Sequence, residues 1–166
     1  ISHGVHRGIL KDGKFDKRSL IVNNLVKSNP NIKFDLHGIN HNQPIWADDY
    51  KLKLYQNKMA LNLSQGKSIK YYSSDRIAQL IGNGILTFVD IRTKLNKFFT
   101  SNEVIFYNSI TDLSKKINFY YNNPKLRNQI AKNGKKKYLK YFNSTEVAGF
   151  IIDKTMNFKS KKKYWE

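Results

Sequence analysis

Ser74-Asp75-Arg76-Ile77-Ala78-Gln79-Leu80-Ile81-Gly82-Asn83-Gly84-Ile85-Leu86-Thr87-Phe88-Val89-Asp90 carries the two signals that decide the fold class. Ile77, Leu80 and Ile81 fall at i, i+3 and i+4, the spacing of one helix face. Gly82-Asn83-Gly84 then stops the helix. The run Ile85-Leu86-Thr87-Phe88-Val89, apolar but for Thr87, reads as the clearest strand of the chain.

The same alternation continues in both directions. Met59-Ala60-Leu61-Asn62-Leu63 reads as a buried strand, and Val104-Ile105-Phe106-Tyr107 as another. Ile32-Lys33-Phe34-Asp35-Leu36 alternates with period two and predicts a third. The opening ten residues predict a strand running into a loop marked by Gly4, Gly8 and Gly13.

Helical spacing predicts helices between these runs. Residues 16–27 carry Ile21/Leu25 and Val22/Val26, residues 48–58 carry Leu52 and Tyr55 with Met59, and residues 111–121 carry Leu113, Ile117 and Tyr121. Residues 124–142 open with Pro124, whose missing N–H costs nothing at a helix start. Asn143-Ser144-Thr145-Glu146 caps a last helix bearing Val147, Phe150 and Ile151. The order β-α-β-α-β-α-β-α-β-α-α predicts a Rossmann-like three-layer α/β/α domain with a parallel sheet.

The 166 residues include 30 Lys plus Arg against 12 Asp plus Glu, a formal net charge of +18, and no cysteine. The length allows one domain with a real core. Thiol catalysis, disulfides and cysteine zinc sites are excluded. The charge has two readings: a polyanionic partner, or A/T-rich codon bias that favours Lys, Asn and Ile. No apolar run reaches the ~18 residues of a membrane span, and no signal-peptide pattern opens the chain, so a cytoplasmic location is expected. The first residue is Ile, which reads as a fragment of a longer protein.

In such sheets ligands bind at the carboxyl ends of strands. That rule selects residues 3–7, 37–41, 64–70 and 90–92. Ser73-Ser74-Asp75-Arg76 opens a helix whose free N–H groups form an anion site, with Ser73 or Ser74 as N-cap. Arg76 in the first turn opposes the helix dipole and calls for an anionic partner, either a ligand or Asp75 or another carboxylate. Arg7 and Lys11 are phosphate candidates or part of a solvated loop. Ser64-Gln65-Gly66 and Tyr71-Tyr72 could shape a sugar or base pocket, the tyrosines equally serving as packing. His3/His6 and His37/His41 have metal-ligand spacings, but no Cys or carboxylate completes a set, so no metal is expected.

Residues 74–90 resemble the donor-binding segment of GT-B glycosyltransferases, and most of all the glycosyl transferases group 1 / spore-maturation-like family. Its pattern is Arg-x-Phe-Glu, four residues, Gly, then a strand. Arg76 matches the Arg, Ala78 and Gln79 stand at the Phe and Glu, and Gly84 matches the Gly. The likeness runs from about residue 1 to 142. Arg18, the strand ending at His37-Gly38, Asn102-Glu103-Val104-Ile105-Phe106-Tyr107 and the tail with Arg127, Ile130, Ala131 and Gly134 also fit.

The resemblance implies a nucleotide-sugar-binding domain over residues 1–158, followed by a Lys-rich tail over 159–166. It implies the carboxyl-terminal half of a hexosyltransferase, with an acceptor domain and the catalytic base preceding this chain. It implies a nucleotide-diphosphate-sugar substrate, no metal or cofactor, and a glycan, lipid-linked or protein acceptor in cell-surface polysaccharide synthesis. The diphosphate would lie at Ser73–Arg76 and the ribose at Gln79. The family's Glu accepts two hydrogen bonds from the ribose diol, whereas Gln79 has one acceptor and one donor group. Only Glu103, Glu146 and Glu166 are present in the chain, so the glutamate pair of many relatives is absent.

Against this stands a non-enzymatic basic module binding nucleic acid or anionic membrane. The clusters Lys135-Lys136-Lys137 and residues 159–163 lack the interleaved aromatics of RNA motifs, so a nucleic-acid partner is not expected. A peripheral contact at the inner membrane face remains compatible with them.

Overall fold

The computed structural model describes residues 13, 16–64, 66–159 and 162–166. The opening strand expected over residues 1–10, with Arg7, Lys11, His3 and His6, lies outside the described residues, as does Gln65.

A parallel sheet of order β1-β2-β3 forms the centre: β1 (Met59–Asn62), β2 (Leu86–Asp90) and β3 (Ile105–Tyr107). Met59 pairs with Leu86, and Phe88 with Ile105. All five residues of β2 are buried, because helices cover both faces of the middle strand. The helices are α1 (Arg18–Ser28), α2 (Ala47–Gln56), α3 (Asp75–Gly82), α4 (Ile110–Asn122), α5 (Pro124–Tyr141) and α6 (Ser144–Thr155), of which α1, α3, α4 and α5 pack on β2. The domain is therefore the expected Rossmann-like α/β/α arrangement.

The alternation of β2 splits the core in two. Leu86 and Phe88 pack with Leu25 of α1, Leu113 and Ile117 of α4 and Ile130 of α5. Val89 faces the other way, onto Ile77 and Ile81 of α3 with Leu95, Phe99 and Val104. Two glycines hold positions that a side chain would strain. Gly84, between α3 and β2, adopts φ +74°, and a Cβ on Gly134 of α5 would stand 2.4 Å from the Glu103 carbonyl oxygen.

Two sequence expectations are corrected. Residues 32–36 form no strand ladder. Their alternation reflects burial without pairing, since Ile32 and Phe34 pack against the Leu25/Phe88 core. Leu52 and Tyr55 do not form the inner face of α2, being 56% and 71% exposed. Leu54 faces inward instead, against Ala60, Leu80 and Ile85, with Tyr50 one turn earlier beside it. Met59 belongs to β1, because α2 ends at Gln56.

Candidate functional site

β1 and β2 are adjacent and parallel, so their carboxyl ends open on one edge of the sheet. The chain leaves β1 through residues 63–74 into α3. It leaves β2 through two 3-10 turns, Ile91–Thr93 and Leu95–Lys97.

Arg76 lies in the first turn of α3, and its Nη1 donates to the Leu63 carbonyl at 2.7 Å. Burial first, then the nearby Arg18 guanidinium, hold Arg76 below the usual arginine range, while Tyr50 and Tyr72 act in the opposite sense. A cation so placed gains from an anion brought beside it, since both costs fall. Arg18 itself is buried and makes a forked pair with Asp16.

Ser74 occupies the N-cap position of α3 with extended backbone, but its side chain makes no cap bond. Its hydroxyl donates instead to Asn62 Oδ1 at 3.4 Å. The Ile77 N–H donates to the Ser74 carbonyl at 2.9 Å, so Ser74 caps this end of α3 through its backbone and not through its hydroxyl. Ser73 and Asp75 are exposed. Burial first, and then the Asp75 charge, push the Tyr138 phenol of α5 above its usual value.

Gln79 is exposed one turn beyond Arg76, and its Oε1 accepts from the Tyr50 hydroxyl at 2.6 Å. The Tyr50 phenol is raised by burial and lowered less strongly by Arg76. Tyr50 therefore neighbours both residues that the sequence singles out on α3.

The loop after β1 is anchored twice. Ser68 Oγ donates to Asp90 Oδ2 at 2.9 Å, and the Tyr71 N–H donates to the Thr93 carbonyl at 2.7 Å. Tyr71 adopts a left-handed φ of 60°, a conformation that costs a non-glycine residue about 1–3 kcal/mol. Its ring stands edge-on to Phe98 at 5.4 Å, which helps offset that strain. Tyr72 is exposed. Ser64 is half-buried at the strand exit, and Gly66 is exposed with φ 70°.

Asp90 ends β2 as a buried carboxylate. Burial raises it, but hydrogen bonds from Arg92 and Ser68 outweigh that cost and hold it below the usual range. Burial first, and then the Asp90 charge, push the Tyr107 phenol well above its usual value. His37 faces Asp35 at 2.8 Å. Among the described residues no three His, Asp or Glu side chains group as metal ligands.

The structure brings Arg76 and Ser74 to the β1 exit, with Gln79 one turn along. Ser68, within the selected segment 64–70, completes the neighbourhood together with Tyr50 and Asn62, which were not singled out by sequence. Asn62 left a signal, a polar residue inside an otherwise apolar strand. Tyr50 left none, because its contact depends on how α2 packs on α3.

Arg76 is thus a part-buried guanidinium in the first turn of α3, at the carboxyl edge of a parallel sheet, the edge at which α/β domains bind their ligands. The model of the glycosyl transferase-like family matches residues 17–153. The chain belongs to that family and is a glycosyltransferase domain. No curated protein and no solved structure matches it.

Proposed function

We propose that this domain binds the nucleotide-diphosphate-sugar donor of a GT-B enzyme at the β1 exit and the first turn of α3. The observation that carries the reading is Arg76: a guanidinium in the first helical turn, tied to the Leu63 carbonyl and lowered by burial and Arg18. A diphosphate laid across the helix N-terminus would offset both costs and accept charge-assisted bonds from Arg76.

Gln79 would meet the ribose. Its carbonyl already accepts from Tyr50, so the amide N–H groups are what it offers to the ribose oxygens. In the transfer step the bond from the anomeric carbon to the diphosphate oxygen breaks. The acceptor hydroxyl forms the new bond and loses its proton to a base. That base would come from a preceding acceptor domain. Charge accumulating on the departing diphosphate would be stabilised by Arg76 and the α3 dipole. The acceptor would be a glycan, a lipid-linked sugar or a protein.

Calorimetric titration with UDP and GDP tests this reading. Saturable binding of one of them, little changed by salt, is expected. Binding of duplex DNA or RNA with steep salt dependence and no nucleotide binding would instead favour a basic nucleic-acid module.

A further inference from the structure

Helix α6 has no buried residue. One flank is covered by the chain's own end: Trp165 stands edge-on to Phe150 at 5.6 Å and stacks on Phe142 at 5.7 Å. Lys163 pairs with Glu146 at 2.9 Å, and Lys154 with Glu166 at 3.0 Å. The remaining face is bare. At about 100° per residue, Val147, Ala148, Ile151 and Ile152 share one arc, while Glu146, Phe150 and Asp153 lie on the covered flank. Ile151 and Ile152 are 57% and 55% exposed, and Met156 and Phe158 just beyond the helix are 59% and 58% exposed. No carboxylate lies on this arc.

Charge says what covers it. Residues 132–166 hold ten lysines and three carboxylates. Two of those carboxylates, Glu146 and Glu166, are engaged by lysines. Lys159 and Lys162 stay exposed, as does Lys154, whose partner is Glu166 at the chain's own end. Protein interfaces are depleted in lysine. A lipid surface suits this composition: the apolar strip enters the acyl boundary while lysine stems reach out to headgroups.

We propose that α6 and residues 156–159 form a docking surface for an anionic lipid bilayer, with the helix lying in the plane of the interface. No helix among the described residues is long and apolar enough to cross a membrane, so the contact is peripheral. Each lysine near the surface adds to the attraction, which weakens with salt. The donor site described above is not needed for this contact.

The test is co-sedimentation of the full chain with two kinds of vesicle: pure phosphatidylcholine, and equimolar phosphatidylcholine and phosphatidylglycerol. Binding to the second and not the first is expected. The double variant Ile151→Glu, Ile152→Glu should weaken it at least about tenfold, with unchanged circular dichroism because both side chains are exposed. Lys159→Gln with Lys162→Gln should also weaken it about tenfold or more. Failure of the full chain to bind phosphatidylglycerol vesicles would overturn the proposal. So would undiminished binding by the Ile151/Ile152 variant, or a dimer in sedimentation that this variant dissolves while vesicles are ignored.

Discussion

Replacing Arg76 by alanine separates the roles of this residue in the fold and in binding. In the fold Arg76 makes the 2.7 Å bond to the Leu63 carbonyl, the kind of contact worth about 1 kcal/mol net. Against that stands a guanidinium disfavoured by burial and by Arg18, so removing it also relieves a cost. The relief opposes the loss, and for a domain of this size each residual kcal/mol shifts Tm by about 2–4 °C. Arg76→Ala should therefore melt within a few degrees of wild type. For the ligand nothing cancels. Hydrogen bonds from a charged donor to a phosphate contribute about 1.5–3 kcal/mol, which raises Kd about tenfold to about 150-fold. Calorimetry with UDP and GDP on matched samples reads this directly. Arg76→Lys should fall between, keeping the charge but losing the planar fork. An alanine variant that stays folded and binds with wild-type affinity would refute the reasoning.

Three predictions concern stability. Gly134→Ala puts a Cβ 2.4 Å from the Glu103 carbonyl oxygen. Overpacking against backbone costs about 1–3 kcal/mol, which outweighs the helix-propensity gain of about 0.5–1 kcal/mol, so Tm should drop by several degrees. Gly149→Ala meets nothing within 4 Å and should leave Tm unchanged or raise it. Asp90 is held below its usual value of 3.8, so its ionised form stabilises the fold above that pH. The gain is lost as pH falls through the lowered value. Asp90→Asn should be less stable than wild type at pH 7 in urea melts, with the gap closing below about pH 4. A constant gap across that range would show that the carboxylate's charge is not what stabilises β2's end.

The layered α/β core was legible because burial on both faces leaves a run that is apolar but for one threonine, as in residues 85–89, while a helix leaves the Ile77/Leu80/Ile81 spacing. Residues 32–36 show the limit: alternation reports which side chains are buried, not whether the backbone pairs. Leu52 and Tyr55 against Leu54 show another. On a short polar helix two apolar stripes compete, and the choice depends on the strand it meets. At the site Arg76 stood out by its unfavourable place on the helix dipole. Its contact with the Leu63 carbonyl, and the bond from Tyr50 to Gln79, depend on tertiary packing and left no local pattern. The acidic–basic pairs that fasten residues 162–166 onto α6 were likewise invisible within a lysine-rich stretch.

The claim that the β1 exit and the first turn of α3 hold the donor diphosphate is tested most directly by nuclear magnetic resonance on the isotopically labelled chain. UDP or GDP at saturating concentration should shift the Arg76 side-chain Nε–H and the backbone amides of Ser74, Asp75 and Arg76, leaving α6 unmoved. Nucleotide-induced shifts confined to other parts of the chain, or no shifts at all, would contradict it.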